Sequence, residues 1–394
     1  MRAGGFESPA RFRTLPFPAD GKPPSPSHNR CQKQLVYFRH ARVHHAVGLA
    51  VRCVIALALV MLSTFGAWAA PLKVPAVTNN AVAFIESKGQ PMAYSFGGLG
   101  PGKTWRDVTA SAFAINLRTG RKTALPPLPD GIGRLASTAV AVRGRILIFG
   151  GYTVSATGEE VSTPDVFSFD PGKRRYERLP PMPIPVDDAV SFVFGDRHVY
   201  LVSGWSSKAN TAAVQVFDVQ TSSWARATDY PGTPVFGHAG GIVDNTFVVM
   251  GGVAAERKPD GKNSFAASEE AWWGEIDAAN PLRITWVRLH AAPVHAVYRI
   301  AATGSRARKA VVFVGGSDNP YNYDGIGYNK VPSAPTTEIF SFDVERGFWR
   351  VHARRKTGTM DHRGLIEWRG RFHTVGGMDA QRRVVSRVIA IKPE

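Results

Sequence analysis

The sequence predicts an all-β chain folded as a six-bladed β-propeller, and three observations carry that prediction. Six β-type runs end in a glycine doublet or a near variant: Gly97-Gly98, Gly150-Gly151, Ser203-Gly204, Gly251-Gly252, Gly315-Gly316 and Gly376-Gly377. The second glycines lie 53, 53, 48, 64 and 61 residues apart, one supersecondary unit per interval. After four of the doublets an aromatic residue closes the unit: Tyr176, Trp224, Trp286 and Trp349.

The elements follow in order within each unit. Before the doublets stand Gln90–Phe96, Gly144–Phe149, His198–Val202, Thr246–Met250, Ala310–Val314 and Arg371–Val375, rich in Val, Ile, Phe and Tyr as buried strands are. The doublet suits a strand end that turns sharply with no room for a Cβ. After each loop a second run ends in Asp or Asn: Phe113–Asn116, Val166–Asp170, Val214–Asp218, Gly274–Asp277 and Glu338–Asp343. A turn and the aromatic come next, with Lys122 in the aromatic's place in the first unit. A Pro-rich exit such as Leu179–Pro183 then leads to the next unit. The last unit holds only Val384–Ile391 after its doublet. Its missing outer strand is expected from the other end, where Pro71–Val77 resembles the exits elsewhere, so the N-terminal strand of the mature chain closes the ring and removes two sheet edges. A period of about 50 residues with a doublet and a later aromatic resembles the kelch repeat.

Upstream of the repeats, Val47–Phe65 is the one strongly apolar stretch. It follows Arg39 and Arg42 and ends in Ala67-Trp68-Ala69-Ala70, the order of a secretory signal peptide. The expectation is a signal peptide at 47–69, cut between Ala69 and Ala70, and a periplasmic or secreted propeller at 70–394, in contact with the membrane only during export. An uncleaved anchor is the alternative; the apolar core is short for a span and contains Arg52. Residues 1–46 are rich in Pro, Arg and Ser without periodicity and read as a disordered extension or a mis-assigned start, with translation beginning near Val36 or Val43. Both cysteines, Cys31 and Cys53, precede the cut, so the mature chain has neither disulfide nor thiol chemistry. That excludes a cysteine–tyrosine copper radical of the galactose-oxidase kind.

The formal charge is +17; residues 1–69 hold nine Lys/Arg and two Asp/Glu, which leaves +10 for the rest. This balance suits an anionic ligand or surface, although scattered basic residues also serve solubility alone. Export argues against nucleic acid. The histidine spacing predicts no metal, and no phosphate loop or other cofactor motif is present.

Geometry narrows the search for a site. In a four-stranded blade, the loop after the doublet and the approach to the next innermost strand emerge on one face, around one end of the central channel, where a concave site belongs. The approaches carry Asn79, Asn80, Arg134, Asp187, Asp188, His238, Tyr298, Arg299, His362 and Arg363. They read either as a lined pocket or as hydrogen-bonding groups that hold the ring together. Two doublet loops are long: Val253–Trp273, with Glu256, Arg257, Trp272 and Trp273, and the fifth, whose Tyr321, Asn322, Tyr323 and Tyr328 offer flat faces and an amide to a sugar ring. Long loops on a rigid scaffold commonly carry function.

With its signal peptide, six kelch units and an Asn-Tyr-Asx-Gly fifth loop (Asn322–Gly325), the chain over Pro71–Glu394 resembles the periplasmic N-acetylneuraminate epimerases, or sialic acid mutarotases. The resemblance implies anomer exchange of a free anionic sugar, with a carboxylate as general base and an arginine on the substrate carboxylate. The family's glutamate directly follows the fourth doublet, with arginine six residues on; here those positions hold Val253 and Pro259, and the third loop offers Trp205 and Thr211. Candidate bases are therefore Glu256, Asp187 and Asp188, with Arg134, His238, Arg299, His362, Arg363 and the fifth-loop residues binding the ligand. The partner expected is a small sugar or glycan, as substrate or as a noncatalytic ligand; a protein-interaction propeller is the alternative.

Overall fold

Each repeat folds into one four-stranded antiparallel sheet, and six such sheets surround a central axis in the computed structural model, which describes residues 71–393. From the axis outward, blade one is Ala81–Ser87, Gln90–Phe96, Ala112–Asn116 and Lys122–Leu125. Blade two is Thr138–Val142, Arg145–Phe149, Val166–Asp170 and Arg175–Leu179. Blade three is Val190–Phe194, His198–Val202, Val214–Asp218 and Ser223–Arg226. Blade four is Ala239–Val243, Thr246–Met250, Ala271–Ile276 and Ile284–Leu289. Blade five is Ala301–Ser305, Ala310–Val314, Ile339–Asp343 and Phe348–Val351. Blade six takes Ile366–Trp368, Arg371–Val375 and Arg387–Ile391 from the C-terminal end and Leu72–Lys73 from the other. The expected extension, signal peptide and cut site lie outside the described residues.

The second strand of each blade is largely buried between neighbouring blades, and in blades two to five it is a near-continuous apolar run; Ala310–Val314 is buried throughout. Each of the six seams between blades has its own apolar core. Blades two and three share Phe149, Leu201 and Phe217; blades four and five share Met250, Phe313 and Phe340. Closure uses the same device. Leu72 pairs with Val388 and Lys73 with Arg387, while Val74 and Val77 join Phe113, Val375 and Val388 in the seam between blades one and six.

Three of the closing aromatics link their blade to the one before it, while the Trp286 indole N–H is buried without a partner. Tyr176 donates its hydroxyl to the Pro126 carbonyl, Trp224 its indole N–H to Pro180 and Trp349 its own to His290. Their rings pack on core phenylalanines, as Trp224 does on Phe217 at 5.0 Å between centroids.

The doublets are the second stitch. Gly316 has φ 91°, and a Cβ there would lie 2.4 Å from Ile300 Cγ1. The absence of that atom lets its N–H reach the Thr359 carbonyl of the next blade at 2.9 Å. The same bond recurs around the ring, from Gly98 to Arg134, Gly151 to Val186, Gly204 to Val235, Gly252 to Val297 and Gly377 to Val77.

The fourth doublet loop differs from its sequence reading. Val253–Arg257 and Asn263–Ala267 pair as a projecting hairpin, and Trp272 and Trp273 belong to the third strand of the blade, opposite Val249 and Val248. The run Gly274–Asp277 read from the sequence is the end of this strand, which begins at Ala271.

Candidate functional site

Just before each innermost strand one residue adopts a left-handed backbone: Asn79, Ala136, Asp188, Gly237, Arg299 and Asp361, with φ between 50° and 67°. Their peptide groups form a collar around the axis. Ala136 N–H donates to Asn79, Asp188 to Ala136, Gly237 to Asp188 and Arg299 to Gly237, at 2.8 to 3.2 Å. His362 donates to Arg299 and Asn79 to Asp361 at 3.4 Å, which completes the circle. Non-glycine residues are uncommon in this conformation and mark positions that the surrounding structure dictates.

Side chains from the collar meet on the axis in a buried ion cluster. Arg299 Nη2 donates to Asp188 at 2.8 Å and Nη1 to Asp361 at 3.0 Å. Arg363 Nη2 lies 2.6 Å from both Asp188 and the Asn79 amide oxygen, and Thr78 donates its hydroxyl to Asp361 at 2.6 Å. Two guanidinium and two carboxylate groups cancel, so the cluster is formally neutral. Burial disfavours the Arg299 cation, yet Asp188, Tyr298 and Asp361 outweigh it and raise its pKa further. The bonds join blades one, three, five and six.

The fifth loop caps the collar on the doublet face. Tyr321 is wholly buried over the axis, its ring 5.3 Å from the Arg299 guanidinium and 5.1 Å from the Tyr298 ring. The loop crosses from blade five to the far side. There Tyr323 packs with Leu99, Leu135 and Tyr152, and Lys103 Nζ donates to the Asp324 carbonyl at 2.7 Å. Returning, Tyr328 stacks on Phe265 of the projecting hairpin at 4.2 Å. Asn322 stays exposed at the turn, its N–H bonded to Ile326.

Beside the cap are two carboxyls held off their ordinary values. Asp187 is buried and accepts the Ser162 hydroxyl at 2.6 Å; burial, then the neighbouring Asp188, push its pKa well up. Glu160, on the second doublet loop, keeps solvent access, yet enough protein surrounds it that burial raises its pKa, with Arg299 opposing. The Glu160 charge helps to raise the pKa of both Tyr323 and Tyr152, so loop two lies near the cap.

Below the collar the axis opens into a cavity of about 510 Å3, lined by the innermost strands of all six blades. His238, His362, Asp188 and Arg363 lie at its neck, and Asp244 and Arg306 mark its other end, at the hairpins joining first and second strands.

The structure redistributes the residues singled out in the sequence. Arg299, Arg363, Asp188, His238 and His362 do gather at the axis. Arg299 and Arg363 arrive already paired, and Asp188 is in an ion pair with both, so none of the three is a free ionic group for a ligand. Arg134 turns away from the axis into a network with Asp130, Asp165 and Thr163, against the Phe167 ring. Glu256 is exposed on the projecting hairpin. His362 shares a hydrogen bond with Thr359 at 2.6 Å, and burial followed by the nearby Arg355 and Arg363 lowers its pKa to about 3. Of the tyrosines, Tyr321 is core, while Tyr323 and Tyr328 are half-buried at the cap. The sequence reading passed over Asp361, Glu160, Tyr152 and Ser162. The ring position equivalent to Asp188 singles out Asp361; nothing local in the sequence distinguishes Glu160.

A kelch motif matches residues 133–183. Over 114 residues the chain is 25% identical to Kelch-like protein 15 of Gallus gallus, covering 29% of this chain and 23% of that protein. Over 109 residues it is 30% identical to an F-box/kelch-repeat protein of Arabidopsis thaliana, covering 26% of this chain and 31% of that protein. The chain thus spans less than a third of either relative. Among solved structures, that of YjhT superposes with a TM-score of 0.63 at 17% identity, over 82% of this chain and 97% of that one. This likeness is one of fold.

Proposed function

We propose, taking the six-bladed kelch propeller as the premise, that this is an exported protein that binds a carbohydrate at the capped doublet face and exchanges its anomers there, with Glu160 as proton acceptor and Asp187 as proton donor. The observation that carries this reading is the pair of raised carboxyls beside half-buried tyrosines. Anomer exchange needs a base on the anomeric hydroxyl and an acid on the ring oxygen. A carboxyl whose burial favours the protonated form is suited to donate, and a solvent-accessible one to accept. Tyr323 and Tyr328 supply the flat surfaces. Because the axial arginines are already neutralised by aspartates, recognition through sugar hydroxyls is favoured over capture of a substrate carboxylate.

Exchange NMR of the anomers of N-acetylneuraminate, glucuronate and glucose tests this. The expected result is acceleration over buffer that Glu160→Gln lowers by roughly 100-fold or more, within the usual range for general acid–base catalysis. Saturable binding without acceleration reduces the reading to a sugar-binding propeller. Absence of any sugar binding favours a protein-interaction role, for which the outer strands of blades four and five offer exposed Val287, Phe348 and Val351.

A further inference from the structure

Two arginines between blades five and six have no acid to answer them. Blade five leaves toward blade six through Arg354-Arg355-Lys356. Arg354 pairs with the buried Glu338 at 3.4 Å. Arg355 differs. Its backbone N–H is anchored on the Thr337 carbonyl at 2.9 Å, and its side chain is half-buried, with Nη1 out of solvent and without a hydrogen-bond partner.

The charged neighbour of Arg355 is a second cation, Arg387, which opens the third strand of blade six. Side chains two apart along a strand share a face. Ile389 and Ile391 pack with Ala301, Val312 and Phe372 in the seam between blades five and six, so Arg387 belongs to the face turned toward blade five, at its exposed end. Among the described residues neither Arg355 nor Arg387 forms an ion pair with a carboxylate. Burial, then Arg387, lower the Arg355 pKa, and no acid opposes them. The guanidinium nevertheless stays protonated at neutral pH.

A guanidinium with a buried, unbonded nitrogen and a like charge beside it is costly until something meets both needs. Water can take the N–H bond, but it leaves the charge unanswered. Guanidinium only donates, so the fitting occupant accepts hydrogen bonds and is negative. A carboxylate balances one arginine. A phosphate group carries roughly −1.5 to −2 at neutral pH and balances both. Its oxygens also match the planar forks of two arginines. Because Arg387 is exposed, the seam is open to solvent at this end.

We propose that the outer part of the seam between blades five and six is a phosphate-binding site, in which Arg355 and Arg387 together hold a phosphate dianion, either the free ion or a monoester. It goes beyond the sugar reading and does not rest on it, since neither arginine belongs to the collar or to the cap.

Calorimetry and thermal melting of the protein at constant ionic strength test this, with inorganic phosphate and glycerol phosphate as probes and acetate as the monoanion. Phosphate is expected to bind saturably and to raise the thermal midpoint. Arg387→Gln changes an exposed residue and is expected to keep the fold while weakening phosphate binding by roughly tenfold or more, from the loss of charge-assisted hydrogen bonds. Arg355→Met keeps the aliphatic stem and removes the unanswered charge. It is expected to abolish the gain from phosphate and, without phosphate, to melt no lower than wild type. Binding of glycerol phosphate at least as tight as that of inorganic phosphate identifies an ester as the occupant; binding of inorganic phosphate alone identifies the free ion. Absence of saturable binding, equal binding of acetate, or unchanged affinity in Arg387→Gln overturns the proposal. So does an Arg355→Met variant that melts below wild type without phosphate, because protein groups would then already answer the charge.

Discussion

Arg299 shows how a single side chain changes meaning once its surroundings are known. As a cation at the approach to an innermost strand it reads as a ligand for an anion, and its removal would then cost affinity and spare the fold. In the structure it is 3% exposed and bonded to two aspartates. Arg299→Ala leaves two buried carboxylates, Asp188 and Asp361, to share the single cation Arg363, a loss of about 3–5 kcal/mol, so the urea midpoint is expected to fall sharply; an unchanged midpoint would show that the cluster contributes no stability. His238 and His362 give a second residue-scale prediction. Their folded values of about 4 and about 3 lie below the ordinary 6.5, so the unfolded state binds more protons in this window. Stability is therefore full above about pH 6.5 and declines as the pH falls toward 4. Asp187, with its raised value, acts in the opposite sense and is stabilising at low pH. At about 1.4 kcal/mol per pKa unit, His238 alone accounts for about 3 kcal/mol of the acid loss. Denaturant titrations of His238→Phe from pH 7 to pH 4 are expected to show a visibly shallower decline; a slope equal to wild type would place the acid sensitivity elsewhere.

At the scale of elements, the propeller depends on how closely its innermost strands approach. A Cβ on Gly304 would lie 1.7 Å from the Ile242 carbonyl oxygen of the neighbouring blade. No side chain can give way there, because the obstacle is backbone. Gly304→Ala is expected to cost at least the 1–3 kcal/mol typical of overpacking, whereas Gly370→Ala, with φ +70° and open space around it, carries only the roughly 1–2 kcal/mol of left-handed strain. Equal thermal midpoints for the two variants would contradict this picture of the seam between blades four and five. The fifth loop is the second informative element. Its length and its tyrosines are visible in the sequence, but its role follows from its path across the axis, where Tyr321 is buried as a plug and Tyr323 reaches blades one and two.

For the whole molecule, closure is the decisive feature. A ring of six sheets held by seam packing, doublet bonds and a backbone collar has no free end only if the first and last segments of the propeller meet. Here they do so through two residue pairs and the seam residues Val74 and Val77. A chain that begins at Thr78 exposes the edge of Arg387–Ile391 and opens that seam. It is expected to lose several kcal/mol from a total of about 5–15, read as a lower thermal midpoint; an unchanged midpoint would mean that the ring is held without this strand.

The propeller was legible because its determinants are local and repeated. A doublet, an Asp or Asn at a strand end and an aromatic each serve one turn or one seam, and six copies make the pattern plain. The closing strand was legible for the same reason, since a Pro-rich exit looks alike wherever it occurs. The site was only half legible. The sequence placed Asp188, Arg299, His362 and Arg363 on the approaches to innermost strands and hence at one end of the axis. It could not say which charges would neutralise one another, because Asp188 and Arg299 are 111 residues apart and meet only across the ring. Nor could it show that Arg134, at a similar position in its own repeat, turns outward to Asp130 and Asp165. Pairing, burial and the direction of a side chain depend on what the other blades place opposite it, and that is decided by the closed ring.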